Sequence, residues 1–427
     1  MRIISAKYLI TMTGEPFVDG AVALEGDEII DAGKEQDLLK RYGFNAPEED
    51  YPHHAIMPGL INCHTHLDMS FYKNFPCDPV RNEGGVVNFI EWLMGCINYK
   101  KNISPSEQRM AVEWAVDECI SAGTTCIADM SSYEGIFSIL EQKNVRAILF
   151  PEVLSINNEV AKDLFESAMA IIDKYSRDDS ESIRVGAGPY STYTLSRNIL
   201  KIMSQFSRSS DIPLMIHAAE SFPEMEFFHN SSGEIASSLF PTIGWDELPP
   251  EHQRTPIQHL SQIGFLSAAP LLVGCTQVTQ TDLDHIAQTG SKVVITPRSH
   301  MYLQQGIAPY KEMAQKHILT VLGTDGIPSV DTLSLWDDMR AFIRQHSDAT
   351  HLTGFGVLSM VTSHAAKALG LENEIGTIEK GKKADLILLD CSAISEEGDF
   401  LLNLVNSITN TDIISVMVDG RNTKSVC

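Results

Sequence analysis

The residues Met57-Pro58-Gly59-Leu60-Ile61-Asn62-Cys63-His64-Thr65-His66-Leu67-Asp68 carry an apolar run, broken by Pro-Gly, into two histidines one residue apart. Residues two apart in an extended segment point to the same side, so His64 and His66 can present both imidazoles to one point in space. That is a metal-ligand geometry. Taken alone the pair is weak in a chain with 14 histidines. Other candidate ligands, however, sit at the ends of other apolar runs: Ile212–Ile216 leads into His217-Ala218-Ala219-Glu220, and Ile318–Thr324 leads into Asp325-Gly326. In a parallel barrel of alternating strands and helices the carboxyl ends of all strands open on one face, and active sites are built there. Three histidines and one aspartate arriving at that face make one mononuclear site.

Outward from this stretch, strand-like runs recur at Thr125–Asp129, Val145–Phe150, Ile183–Gly188, Leu214–His217, Leu271–Cys275, Lys292–Thr296 and Leu319–Thr324, with helix-like segments between most of them. With Ala55–Ile61 they make eight, the expectation for an α/β fold of the (β/α)8 TIM-barrel kind. One helix is announced by Ser104-Pro105-Ser106-Glu107, a capping box with proline at the first helical position, and runs to Gly123. Its Ala111, Trp114, Ala115 and Cys119 recur at the spacing of a face packed on a core. A short helix is expected around Asn88–Met94, after a loop-rich stretch from Phe71 to Gly85, and further helices at Leu333–Arg344 and Gly356–Leu369. Residues 222–256, rich in Pro, Ser and Glu, are long for a strand-to-helix connection and read either as a lid or specificity insertion or as a plain surface elaboration. Both chain ends read as β, the N-terminal one as short strands with a turn at Gly26-Asp27. The expected organisation is a small β-sandwich formed from residues 1–56 and 373–427 around a barrel of residues 57–372.

The chain has 427 residues, 43% of them hydrophobic and 21% charged, as in ordinary packed proteins. A formal net charge of -24 with no basic stripe disfavours phosphate backbones and anionic membrane surfaces as partners. The eight cysteines are scattered without a C-x-x-C pair and read as reduced core residues. With no leader-like apolar segment at the N-terminus and no run of membrane-spanning length, the expected location is the cytoplasm.

Pro58–His66, His217–Glu220, Leu322-Gly323-Thr324-Asp325-Gly326 and the C-terminal Gly376-Thr377-Ile378-Glu379-Lys380-Gly381-Lys382-Lys383-Ala384-Asp385 together resemble the amidohydrolase superfamily, over nearly the whole chain. Within it the chain is similar to the deaminase and chlorohydrolase branch, which includes methylthioadenosine and S-adenosylhomocysteine deaminases. His66-Leu67-Asp68-Met69-Ser70 and Thr296-Pro297-Arg298-Ser299 further resemble the aminodeoxyfutalosine deaminases of menaquinone biosynthesis. The resemblance implies His64, His66, His217 and Asp325 as metal ligands, Glu220 as the acid/base and Glu91 as a ribose-binding carboxylate. Arg298 and Gln277 join the expected substrate contacts. The implied cofactor is one divalent or trivalent metal ion, zinc by default and iron as the alternative; the absence of lysine near Gly188-Pro189-Tyr190 argues against a two-metal site built on a carbamylated lysine. Three imidazoles and one carboxylate leave the metal net positive charge, so it supplies hydroxide near neutral pH. Glu220 passes the water proton to ring N1 of an aminopurine nucleoside, hydroxide adds at C6 and ammonia leaves. A homodimer is an expectation from the resemblance.

The sequence also departs from that pattern. Relatives end the sixth strand in a histidine that orients the attacking water, where this chain has Gly274, and a substrate-contacting histidine is replaced by Tyr190. His300 stands where asparagine is usual, and it or Gln277 is expected to restore a polar contact in the space at Gly274. Three readings follow: a deaminase with an altered pocket, most simply of 6-amino-6-deoxyfutalosine, with methylthioadenosine, S-adenosylhomocysteine or guanine as alternatives; a hydrolase of another leaving group; or a metal-retaining barrel that binds a nucleoside without efficient turnover.

Overall fold

The computed structural model describes residues 1–425 apart from 75–87, 156–157, 176–181, 243–247, 250 and 348–351. Most of the loop expected at 71–85, and part of the 222–256 stretch, lie outside the described residues. Strands β1 (Arg2–Leu9), β2 (Phe17–Glu25), β3 (Glu28–Lys34) and β4 (Glu49–Pro58) open the chain. They are followed by β5 (Leu60–Thr65), β6 (Thr124–Ser131), β7 (Arg146–Val153), β8 (Ile183–Val185) and β9 (Gly188–Pro189). Next come β10 (Met215–Ala218), β11 (Leu271–Gly274), β12 (Lys292–Ile295) and β13 (Thr320–Leu322), and last β14 (Leu386–Asp390), β15 (Ile413–Val418) and β16 (Arg421–Ser425).

The two chain ends share one seven-stranded sheet of order β16-β15-β14-β4-β1-β2-β3, in which β14 runs antiparallel to β4 from Leu386↔Pro58 to Asp390↔His54. The Ala55–Ile61 run expected as the first barrel strand is therefore divided. Ala55–Pro58 completes β4, the Gly59 N–H donates to the Asp385 carbonyl at 2.9 Å, and a new strand starts at Leu60. Asp385, from the C-terminal motif, also receives the buried Arg146 guanidinium at 3.0 Å, tying the end sheet to the base of β7.

The remaining strands form two parallel arcs, β5-β6-β7-β8 with β9 alongside β7, and β10-β11-β12-β13. Parallel bridges join the arcs at both seams: Ala187 with Leu214 and Ser191 with His217 on one side, Thr65 with Asp325 on the other. This is the TIM-barrel type of arrangement. β5 and β6 are buried at every residue, as strands covered on both faces must be. Ile61, Cys63, Phe150, Met215, Val273 and Val321 pack together in one core, and Leu60, Ile127, Leu149, Ile216, Leu272 and Leu322 belong to a second, larger one.

The helix Pro105–Ser121 begins with the expected capping box at Ser104 and buries Ala111, Ala115 and Cys119, with Trp114 half-buried. The helix expected at 88–94 extends over Phe89–Asn102, and Gly356–Leu369 divides into Gly354–Ser359 and Ser363–Leu369. Within 222–256 a helix, Phe222–Asn230, leads to a π-helical turn, Ile235–Leu239, and Phe227, Phe228 and Leu239 pack with Phe89, Ile90 and Leu93. All six cysteines among the described residues are buried. No helix among the described residues is long and apolar enough to cross a membrane.

Candidate active site

His64 and His66 sit on and just after β5, His217 on β10, and Asp325 just past β13. One ring nitrogen from each of the three histidines lies within 4.8 Å of the others. Each ring is fixed from behind. His66 Nδ1 donates to the Met130 carbonyl at 2.9 Å, His217 Nδ1 donates to Glu220 Oε2 at 3.1 Å, and His64 Nδ1 lies 3.2 Å from the Met215 sulfur. With Nδ1 carrying the proton, the Nε2 lone pairs of His66 and His217 converge at 3.2 Å, and His64 Nε2 is buried with no partner. Lone pairs held so close without a proton or cation between them repel, so the donor set fits a metal ion. Asp325 completes it: Oδ2 accepts from Ser299 at 2.5 Å and Ser329 at 2.7 Å, while Oδ1 stands 3.7 Å from both His64 Nε2 and His66 Nε2.

The electrostatics match that role at two of the three rings, while at His217 burial is outweighed by the neighbouring Glu220 carboxylate, which raises that imidazole above its ordinary value. Burial pushes the His64 imidazole down to about 3 and His66 down to about 4, leaving both neutral as ligands require. Burial opposes the charge of Asp325, but the neighbouring His64, His66 and His217 outweigh it and hold the carboxyl well below the usual carboxylate range.

The strand ends are bent to aim these groups. Ala219 (φ 51°), Gly274 (φ 100°), Cys275 (φ 52°) and Asp325 (φ 65°) all adopt positive φ, a clustering of strain typical of functional sites. Gly323 lies so close to β5 that a Cβ there would stand 2.8 Å from His64 N and Cβ. Glu224 fastens the turn after β10: its Oε2 accepts from the Glu220 N–H at 2.8 Å and its other oxygen from the Thr192 hydroxyl. Burial pushes the Glu224 carboxyl up to about 7.

A cavity opens above the cluster, lined by His66, His217, Glu220 and Asp325 below and by Trp92, Tyr190 and Gln305 among its walls. The Tyr190 ring stands 5.1 Å from that of His217. His300 is buried behind the wall, its Nε2 3.0 Å from the Thr296 hydroxyl and 3.8 Å from Glu220 Oε1. The other three sequence-derived contacts lie elsewhere. Glu91 is exposed on its helix, whose Phe89 and Trp92 face the cavity instead. Arg298 is spent on Asp338 (2.8 Å) and Asp331 (2.9 Å), and the Gln277 amide donates to the Gln305 carbonyl at 2.6 Å. The space at Gly274 is occupied by Glu220, whose Cβ would lie 2.7 Å from any side chain begun there.

Sequence reasoning missed Glu224, Gln305, Ser299 and Ser329. Two of them had a signal: Glu224 follows Ser221 by three residues as a helix-capping pair does, and Ser299 closes the Thr296-Pro297-Arg298-Ser299 motif.

The amidohydrolase family profile matches residues 55–423 of the chain. A 5-methylthioadenosine/S-adenosylhomocysteine deaminase of Thermodesulfovibrio yellowstonii is 29% identical over 98% of this chain and 92% of its own length. Among solved structures, an adenosine deaminase from Xanthomonas campestris with bound zinc superposes with a TM-score of 0.83 at 22% identity, covering 98% of this chain and 92% of its own. The Helicobacter pylori aminofutalosine deaminase in complex with methylthio-coformycin does so with a TM-score of 0.83 at 19% identity, covering 99% and 100%. Fold, strand-end histidines and profile agree: the chain belongs to the amidohydrolase family and is a metal-dependent hydrolase of carbon–nitrogen bonds.

Proposed function

We propose that this protein hydrolytically deaminates an aminopurine nucleoside. The observation that carries the reading is Glu220, bonded to His217 and lining the floor of an aromatic-walled cavity beside the three-histidine, one-aspartate cluster. His64, His66, His217 and Asp325 would hold one metal ion, zinc before iron given the zinc in a structural neighbour. When bound, such an ion lowers the pKa of water towards ~7.

Glu220 takes a proton from the attacking water and delivers it to ring N1, which makes C6 electrophilic. Asp325 Oδ1, the oxygen its two serines leave free, accepts a hydrogen bond from the same water. The water oxygen bonds to C6, its second proton passes to the 6-amino group, the C6–N bond breaks and ammonia departs, leaving the carbonyl at C6 and the relayed proton at N1. Trp92, Phe89 and Tyr190 enclose the ring and exclude bulk solvent.

Methylthioadenosine and S-adenosylhomocysteine stand first as substrates, because the full-length relatives carry that name. Aminodeoxyfutalosine is the second reading, favoured by the 66–70 motif and by the aminofutalosine deaminase among the neighbours. The test is ammonia release from metal-quantified protein offered methylthioadenosine, S-adenosylhomocysteine, aminodeoxyfutalosine, adenosine and guanine. Release from one of them, lowered at least ~100-fold by Glu220→Gln, supports the reading. No release from any, with about one metal per chain, would overturn it in favour of another leaving group or a binding role.

A further inference from the structure

Beside Glu220 the cavity wall holds one side chain whose polar atoms are all unused. Gln305 is 3% exposed, and both its carboxamide oxygen and its nitrogen are buried without a hydrogen-bond partner. Its backbone, by contrast, is fastened on every side. The N–H donates to the His300 carbonyl at 2.9 Å, and the carbonyl accepts from the Thr276 hydroxyl at 2.9 Å and from Gln277 Nε2 at 2.6 Å. The same Thr276 hydroxyl lies 2.8 Å from the Glu220 carbonyl, so Gln305 and Glu220 stand side by side. Leaving a buried donor and acceptor unpaired is destabilising, and folded proteins rarely retain such groups without a water or ligand to meet them. Because Gln305 lines the cavity, its partner arrives through the cavity.

We propose that Gln305 is the residue that reads the edge of the substrate's heterocycle. A carboxamide presents one donor and one acceptor in a plane and pairs bidentately with a ring nitrogen acceptor adjoining an amino group, the pattern of the adenine N7 and 6-amino edge. This assignment rests on the aminopurine reading above. Glu220 then serves the N1 side of C6 and Gln305 the N7 side, holding the reacting carbon between two neighbouring side chains. Hydrolysis turns the 6-amino donor into an oxygen acceptor, so the carboxamide oxygen holds substrate and does not hold product.

The experiment compares kcat/KM for the best aminopurine nucleoside of the panel and for its 7-deaza analogue, in wild-type protein and in Gln305→Met, with metal content and melting temperature recorded for both. Wild type should prefer the parent by roughly 10- to 100-fold. Gln305→Met should lose that factor on the parent beyond whatever it loses on the 7-deaza compound, which keeps only the 6-amino contact, so the preference collapses. If Gln305→Met does not fold, Gln305→Glu, which keeps the shape and loses the donor to N7, should collapse the preference in the same way. A parent-to-analogue ratio that survives in a folded variant overturns the assignment and leaves the deaminase reading standing. A wild type that releases no ammonia from any aminopurine overturns both.

Discussion

Replacing Gly274 with alanine isolates what the missing side chain does at the end of β11. The backbone there has φ 100°, which L-residues rarely adopt and which costs about 1–3 kcal/mol when forced. The added Cβ would lie 2.7 Å from Glu220 Cβ, 2.9 Å from Cγ and 3.2 Å from Cα. These are the root of the side chain and the backbone, not a flexible tip, so the overlap adds about 1–3 kcal/mol and moves the carboxylate. The total, about 2–6 kcal/mol, should lower the melting temperature by at least ~2 °C at roughly 1 °C per kcal/mol for a protein of this size. A general acid/base displaced by even ~1 Å loses on the order of 100-fold in rate. Scanning calorimetry of metal-loaded protein and ammonia-release kinetics measure both effects. Gly274→His, which restores the residue relatives carry, is expected to be worse than alanine because it begins with the same Cβ. An alanine variant that melts with wild type and turns over at wild-type rate would refute the reasoning.

His300→Ala should lower kcat about 10- to 100-fold while metal content stays near one per chain, since the ring flanks Glu220 and touches no ligand; turnover assays with elemental analysis decide it. Arg298→Ala should leave KM unchanged and destabilise the fold by about 3–5 kcal/mol in denaturant unfolding, because it strands the fully buried Asp338 carboxylate. Chelation should abolish activity and lower the melting temperature, zinc restoring both; the stabilisation follows RT ln(1 + [metal]/Kd), about 4 kcal/mol when free metal is 1,000 times Kd.

The convergence of His64, His66, His217 and Asp325 was legible because strand periodicity and strand-end position together decide which side chains share a point, and both are written locally in His64-Thr65-His66, His217-Ala218-Ala219-Glu220 and Thr324-Asp325. The location of β5 was legible only to within a few residues. The apolar run through Ala55–Ile61 is continuous in sequence, and only its pairing with β14, more than 300 positions later, shows that half of it belongs to another sheet. The cavity wall was the least legible part. Nothing near Arg298 announces that Asp338 will claim it, and nothing in Gln304-Gln305 tells which amide will be left facing inward. Those outcomes depend on where loops from different strand ends meet, which no local pattern encodes.

The seams of the ring bear on how the chain is assembled. His64 and His66 come from the arc made first, β5 to β9, and His217 and Asp325 from the arc made later, β10 to β13. At both seams the bridging pairs involve or adjoin ligands: Thr65 with Asp325, and Ser191 with His217. An ion held by these four residues would therefore tie the early half of the polypeptide to the late half across both joins at once. A chain that folds without that ion completes each arc and lacks the last fastening between them, so cleavage by protease is expected first in the connection from β9 to β10, residues 190–214, yielding two fragments, before either arc is itself cut.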